Sequence, residues 1–340
     1  MTDLNIFKDK KNIMKLDKND LNILAMLWLN GRFTIKEIAK HLGLSREVVQ
    51  YKIKNYEKKG LIKRWDIALN HNLLNQNSYD INLFFNYDCP QKIIDELMSI
   101  KNIEYLGTSN LNSRILIDIT IKDSEELKGT VYKIKKICKN YLKEIFVSIN
   151  LSDFYCNLSL FPKVNNLKKF SKTSFQKEFL LKKEDFSIEM ITPVHYKIID
   201  ILNENCREPI LSISEKTGIS INTTIKRIKE LIKWGIITEW SFVIDYSLLG
   251  LSTGGINIKT KFCSPEDEKK MESYFKNSNK IFWCTKCLGV KDYVLDIAYK
   301  TYDDVLEIIQ EIKLNFDDKI KNLEFVPIDK GYVWREHNPH

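Results

Sequence analysis

The tightest spacing of reactive residues in the chain is Cys284-Thr285-Lys286-Cys287, a C-x-x-C pair of the kind that ligates a metal or cycles between thiol and disulfide. A zinc site needs a second pair, and none follows. The pair also falls in a stretch that reads as a strand, where residues three apart face opposite sides. The other cysteines, Cys89, Cys138, Cys156, Cys206 and Cys263, are scattered without a framework, as expected of reduced thiols. The histidines, His41, His71, His195, His337 and His340, assemble no acid–base constellation with neighbouring carboxylates. No catalytic residue, metal site or cofactor is therefore expected. The chemistry that remains is anion binding. Residues 15–70 hold 12 Lys and Arg against 6 Asp and Glu, a net of +6, whereas residues 190–245 hold 7 against 7. Residues 162–186 add 7 Lys against 3 acids. Such a local excess is the footprint of a polyanion partner. Within it stand Arg46 and Gln50, one helical turn apart, with side chains able to hydrogen-bond base edges.

The elements that position these residues come twice. "GLIKRW" at Gly60 to Trp65 returns as "GIITEW" at Gly235 to Trp240. The same offset of 175 pairs Ile23 with Ile198, Arg32 with Arg207, Ile38 with Ile213, Gly43 with Gly218, Ser45 with Ser220, Ile53 with Ile228 and Pro90 with Pro265. The chain is a tandem duplication of a unit of roughly 150 residues. In the first copy, "NDLNILAMLWLN" predicts a helix after a capping Asn19, and Thr34 with Glu37 forms a capping box for "IKEIAKHL". Gly43 ends that helix, and Ser45 caps "REVVQYKIKNYEKK" until Gly60 closes it. Helix, tight turn and helix, with small Ala39 at the crossing, make a helix-turn-helix. The stretch "LIKRWDIALNHNLL" after Gly60 reads as two short strands, a wing. A β-α-β-β-α-β pattern follows in each copy, the mark of a ferredoxin-like sandwich.

The expected fold class is α+β: two winged helix-turn-helix domains alternating with two ferredoxin-like βαββαβ sandwich domains. The domains run 15–75, 76–160, 190–250 and 251–335, with a basic linker over 161–189 that either docks or floats.

A winged helix carrying "LGLSREVVQYKIKNYEKKGLI" and joined to a βαββαβ sandwich resembles the Lrp/AsnC, or feast/famine, transcription regulators. "KLDKNDLNIL" resembles that family's opening, and "GVKDYVLDI" its Gly-x-x-Asp-Tyr motif in the ligand-sensing domain. The resemblance implies a sequence-specific regulator that binds double-stranded DNA through paired winged helices and dimerises through its sandwiches. One chain would then be a covalent pseudo-dimer, open to higher homo-oligomers, that responds to a small effector such as an amino acid. The recognition helix would begin at Ser45, with Ser45, Arg46, Glu47, Gln50 and Tyr51 facing the major groove. Lys52, Lys54, Lys63 and Arg64 suit phosphates. Gly289, Asp292 and Tyr293 would hold the effector. The second copy departs from the pattern: Ile221 and Ile225 replace Arg46 and Gln50, while Asn110, Ser113 and Arg114 align with the effector motif. DNA reading would belong to copy one and sensing to copy two.

No apolar run approaches the roughly 18 residues that span a bilayer, and the polar start "MTDLNIFKDKKN" carries no signal-type segment, so a cytoplasmic protein without membrane contact is expected. Two rival functions differ in class. One is an enzyme like the tetrapyrrole (siroheme) decarboxylases, which share the architecture but rely on sandwich histidines that are not predicted here. The other is a ligand sensor acting through protein partners by way of Ile221 and Ile225.

Overall fold

A computed structural model of the chain describes residues 13–155 and 186–334. Most of the predicted linker, 161–185, lies outside the described residues. The chain divides into two units by kind rather than by copy: the winged helices of both copies form one unit and the sandwiches of both copies the other.

In the helical unit, α1 (Lys18–Leu29), α2 (Ile35–Leu42) and α3 (Arg46–Lys59) form the first helix-turn-helix. The N-cap of α1 is Asp17 rather than Asn19, because Asp17 and Asp20 complete a reciprocal capping box. Thr34 and Glu37 box α2, and Gly43 and Gly60 close α2 and α3 in the left-handed conformation that glycine adopts without strain. The second copy repeats this as α6 (Pro193–Glu204), α7 (Ile210–Thr217) and α8 (Ile221–Lys233).

The wing is not a hairpin within each copy. Residues Ile62–Leu69 form one strand, β1, and it pairs antiparallel with β6 (Ile237–Ile244) of the other copy, Trp65 opposite Phe242 and Ile67 opposite Trp240. Alternation in the sequence forecasts a strand but not its partner, and the second strand expected after Ala68 is instead the short 3-10 turn His71–Leu74.

Reciprocal contacts seal this exchange. Arg32 donates to the carbonyls of Cys206 at 2.8 Å and Glu208 at 3.3 Å, and its guanidinium lies 5.1 Å from the Trp240 ring. Its counterpart Arg207 donates to the Gly31 carbonyl and lies 4.7 Å from the Trp65 ring. The Gly-x-Ile-x-x-Trp repeat thus supplies, in each copy, the tryptophan that receives the other copy's arginine.

The sandwich unit contains β2 (Asn77–Phe85), α4 (Gln91–Met98), β3 (Ile103–Ser109), β4 (Arg114–Ile121), α5 (Ser124–Cys138) and β5 (Leu142–Tyr155) from copy one. Copy two supplies β7 (Ser252–Thr260), α9 (Pro265–Asn277), β8 (Ile281–Leu288), β9 (Tyr293–Tyr299), α10 (Tyr302–Phe316), β10 (Ile320–Ile328) and an unforeseen β11 (Lys330–Trp334). The strands form one sheet in the order β10-β7-β9-β8-β5-β2-β4-β3-β11. Strand β5 is long because its second half leaves β2 to pair with β8, Asn150 opposite Cys287. Strands β10 and β11, separated only by Asp329, do the same in reverse: β10 stays on β7 while β11 crosses to β3, Lys330 opposite Thr108. The two ends of the strand order are thus joined through Asp329, and the sheet closes on itself by this continuous chain rather than by a β10–β11 ladder.

Alternation assigns the faces. Ile81, Leu83, Ile115, Ile117 and Ile119 form the first core with α4 and α5, and Ile256, Ile258, Leu295 and Ile297 the second with α9 and α10. The intervening positions, among them Asp80, Asn82, Arg114, Asp118, Asn257 and Asp296, line the inner face.

Candidate nucleic-acid interface

Helix α3 is anchored by Val49, Ile53 and Tyr56, which are buried, and it presents the opposite side to solvent. Ser45 accepts the Val48 N–H at 3.2 Å, fixing the first turn. Arg46, Glu47, Gln50, Tyr51 and Lys54 are all exposed, Tyr51 at 71%. Hydrogen bonds from the Glu47 backbone and the Ser45 hydroxyl hold the Glu47 carboxyl below its usual range, so the face is cationic with one fixed carboxylate in its first turn.

Three residues expected at phosphates are instead turned inward. Lys52 reaches Asp17 at 2.8 Å and Asp20 at 2.7 Å, and Asp20 also accepts the Tyr56 hydroxyl at 2.7 Å. Partial burial opposes the lysine's charge, but the two carboxylates outweigh it and raise its pKa. Lys52 is thus a brace between α1 and α3. Lys63 pairs with the buried Asp245 at 3.2 Å, and Arg64 with the buried Asp66. The sequence marks the type of these side chains but not the acids waiting for them: Asp17 and Asp20 for Lys52, Asp245 for Lys63 and Asp66 for Arg64.

On α8, Ser220 caps, Ile221 is 45% exposed and Ile225 is half-buried. Arg227, the counterpart of Lys52, is likewise inward: it bonds Glu230 at 2.8 Å, and Glu230 also meets His195 at 3.1 Å. Burial lowers the pKa of His195 despite Glu230, as befits a neutral capping and packing residue; its ring lies 5.1 Å from that of Trp234, tilted by 56°.

The expected effector residues are also absorbed by the fold. Asp292 accepts the Thr260 N–H at 2.7 Å, the Thr260 hydroxyl at 2.8 Å and the Lys259 ammonium at 2.9 Å. Burial opposes its charge, but these donors hold its carboxyl below the usual range. Tyr293 is 2% exposed, packed on Phe275, and its hydroxyl has no partner among the described residues. Gly289, at φ 147°, lets the β8–β9 turn lie against copy one, where an added Cβ would meet the Ser148 hydroxyl at 2.8 Å. The motif is thus a turn that holds β9 on β7 and seats it on the other copy.

The strand register also corrects the alignment of copies. Asp80 faces Asp118 where Gly255 faces Asp296, so Arg114, not Ser113, occupies the place of Asp292. Cys284 packs in the second core, while Cys287 lies near Asn150 on the other face.

Two exposed helix-turn-helix faces on one strand-exchanged unit, in a chain that also carries a paired α/β sandwich unit, define the class of the winged-helix DNA-binding regulators. The winged helix-turn-helix DNA-binding family is matched at both copies, over residues 16–63 and 191–238. An uncharacterized HTH-type transcriptional regulator of Pyrococcus furiosus is 30% identical over 125 residues, 35% of this chain and 84% of that relative. The HTH-type transcriptional regulator LrpA of Pyrococcus horikoshii is 28% identical over 38% of this chain and 97% of its own length, as a single copy of a tandem would be. The chain belongs to the Lrp/AsnC family of HTH-type transcriptional regulators, in tandem-duplicated form. In fold it is similar over 94% of its length to the crystal structure of the siroheme decarboxylase NirDL, of which it covers 93%, at a TM-score of 0.59 and 11% identity. Among the described residues, no helix is long and apolar enough to cross a membrane.

Proposed function

We propose that this regulator reads DNA asymmetrically, with α3 supplying base contacts and α8 supplying at most backbone contacts. The observation that carries this reading is the contrast of the two outward faces: exposed Arg46, Gln50, Tyr51 and Lys54 on one, exposed Ile221 and half-buried Ile225 on the other. Arg and Gln hydrogen-bond purine edges in the major groove, whereas isoleucine offers only apolar contact, as to a thymine methyl. Ser45, Arg46, Glu47, Gln50 and Tyr51 are the base-proximal set, and Lys54 the phosphate contact. We propose further that the chain works in the cytoplasm as an intramolecular pseudo-dimer and that a small organic effector modulates it.

A regulator is favoured over an enzyme because the described histidines, His41, His71 and His195, all lie outside the strands of the sandwich unit. Selection of binding sites from random DNA tests the asymmetry: the expected site is one well-defined half-site with a weak or absent second half about one helical turn away. A palindrome with two equally defined halves would overturn it. Mixing the protein with siroheme tests the enzyme alternative, for which a shifted Soret band is the expected sign.

A further inference from the structure

The inner face of the closed sheet holds a cavity of about 170 Å³ where the copies meet, room for a small organic molecule. It lies astride the pseudo-twofold relation of the copies. Asn82 and its counterpart Asn257 both line it, as do Phe84 and its counterpart Lys259. So do Phe146 and Glu324, which face those two asparagines in the same register. In a true homodimer such pairs are identical. Here they have diverged: copy one gives an aromatic wall, Phe84 and Phe146 edge to face at 5.6 Å, and copy two gives Lys259, Lys291 and Glu324.

Three cations, Arg114, Lys259 and Lys291, line the cavity beside one carboxylate, Glu324; Arg114 pairs with Glu324, while the partners of Lys259 and Lys291, Asp292 and Asp80, stand outside the lining. Arg114 is 5% exposed; its terminal nitrogens bond Glu324 at 2.6 and 3.2 Å, its guanidinium lies 4.2 Å from the Phe84 ring, and its Nε has no partner among the described residues. Lys291 is 4% exposed, held by Asp80 at 2.9 Å and near Asn257 at 3.4 Å. An unpartnered buried donor in a cation-rich pocket is costly unless an acceptor fills it. The one carboxylate in the lining is already taken by Arg114 and by Asn257 at 3.2 Å, so an incoming ammonium finds no free carboxylate there.

From this we infer that the cavity binds a small monocarboxylate with an apolar body and no ammonium group, of the 2-oxo acid type. Its carboxylate meets Arg114 and the lysines, and its body lies on Phe84 and Phe146. The inference rests on the proposed effector response and places that effector. Binding is measured without DNA, so its failure and that of the DNA reading are distinguishable.

Titration calorimetry of the whole chain with phenylpyruvate, 4-methyl-2-oxopentanoate, L-phenylalanine and L-leucine is the test. The oxo acids are expected to bind, each at least about tenfold more tightly than its amino acid, and Arg114→Gln to weaken binding by at least about tenfold. Phe146→Ala leaves every ion pair in place and is expected to weaken phenylpyruvate more than the branched acid, so the idea stays testable if Arg114→Gln fails to fold. No binding by either oxo acid, equal binding of the amino acids, or binding indifferent to Phe146→Ala would each overturn it.

Discussion

Replacing Lys52 and Lys54, two residues apart on α3, by alanine separates a structural lysine from a DNA-facing one. Lys52 holds two carboxylates. Asp17 is largely exposed, so that pair contributes little, about 0–1 kcal/mol. Asp20 is only 11% exposed in its side chain, and its bond to Lys52 at 2.7 Å is a charge-assisted one between α1 and α3. Its loss leaves the carboxylate with the Tyr56 hydroxyl and the Asp17 N–H, at a cost of about 1.5–3 kcal/mol. Lys52→Ala should therefore lower the free energy of unfolding in urea by that amount while leaving the salt dependence of DNA affinity nearly unchanged. Lys54→Ala, at an exposed position, should do the reverse: stability within about 0.5 kcal/mol of the parent, and a slope of log K against log salt reduced by about one. Urea unfolding and fluorescence anisotropy with a labelled duplex at several salt concentrations give both numbers. A unit fall in salt slope for Lys52→Ala, without loss of stability, would show that the lysine leaves its carboxylates for phosphate and would refute the assignment.

Gln50→Ala and Arg46→Ala are each expected to relax sequence preference at one position by about 1–3 kcal/mol, whereas Ile225→Ala leaves preference unchanged; competition binding with single-base variants reads this. Arg32→Ala should cost about 2–4 kcal/mol in denaturant, from its two carbonyl bonds and its stack on Trp240, and Arg207→Ala a similar amount, because the two are reciprocal. Burial first, then the like charges of Asp80 and Asp153, push the Asp296 carboxyl up to about 7 against the pull of Lys291. A carboxyl that binds its proton more tightly when folded gives stability that is full at acid pH and is lost as pH rises toward 7. Asp296→Asn should therefore raise the melting temperature at pH 8 and leave it unchanged at pH 4, and a gain of equal size at both would count against this account.

Much of the local architecture was legible because short-range chemistry decides it. The box of Thr34 with Glu37, the cap of Ser45 and the left-handed glycines at 43, 60 and 218 stand where the sequence puts them. Both βαββαβ patterns formed in the expected order. What the sequence did not disclose is which partner a segment chooses. "IKRWDIAL" alternates as any strand does, and only the presence of its twin 175 residues on turns it from half of a hairpin into β1 paired with β6. The same holds for Asp292, whose partners Lys259 and Thr260 arrive from another strand, and for β11, whose five residues form a strand only because β3 offers an edge. In the sequence Arg114 is only a mismatch to a motif; strand register sets it opposite Phe84, and its guanidinium reaches Glu324 from the other copy.

Because β1 and β6 each complete the other copy's winged helix, the union of the two halves is an intramolecular event with no stoichiometry to satisfy. Ordinary dimers of this design fall apart on dilution, and mixed dimers form whenever two related chains share a cell. A fused chain working as the proposed pseudo-dimer escapes both: its occupancy of DNA follows its own concentration to the first power, and its two halves cannot be exchanged for those of another chain. That freedom also lifts the demand that one surface serve two positions. A substitution in either half is judged once, in one place, and the divergence of Phe84 from Lys259 or of Gln50 from Ile225 is what such a relaxation leaves behind.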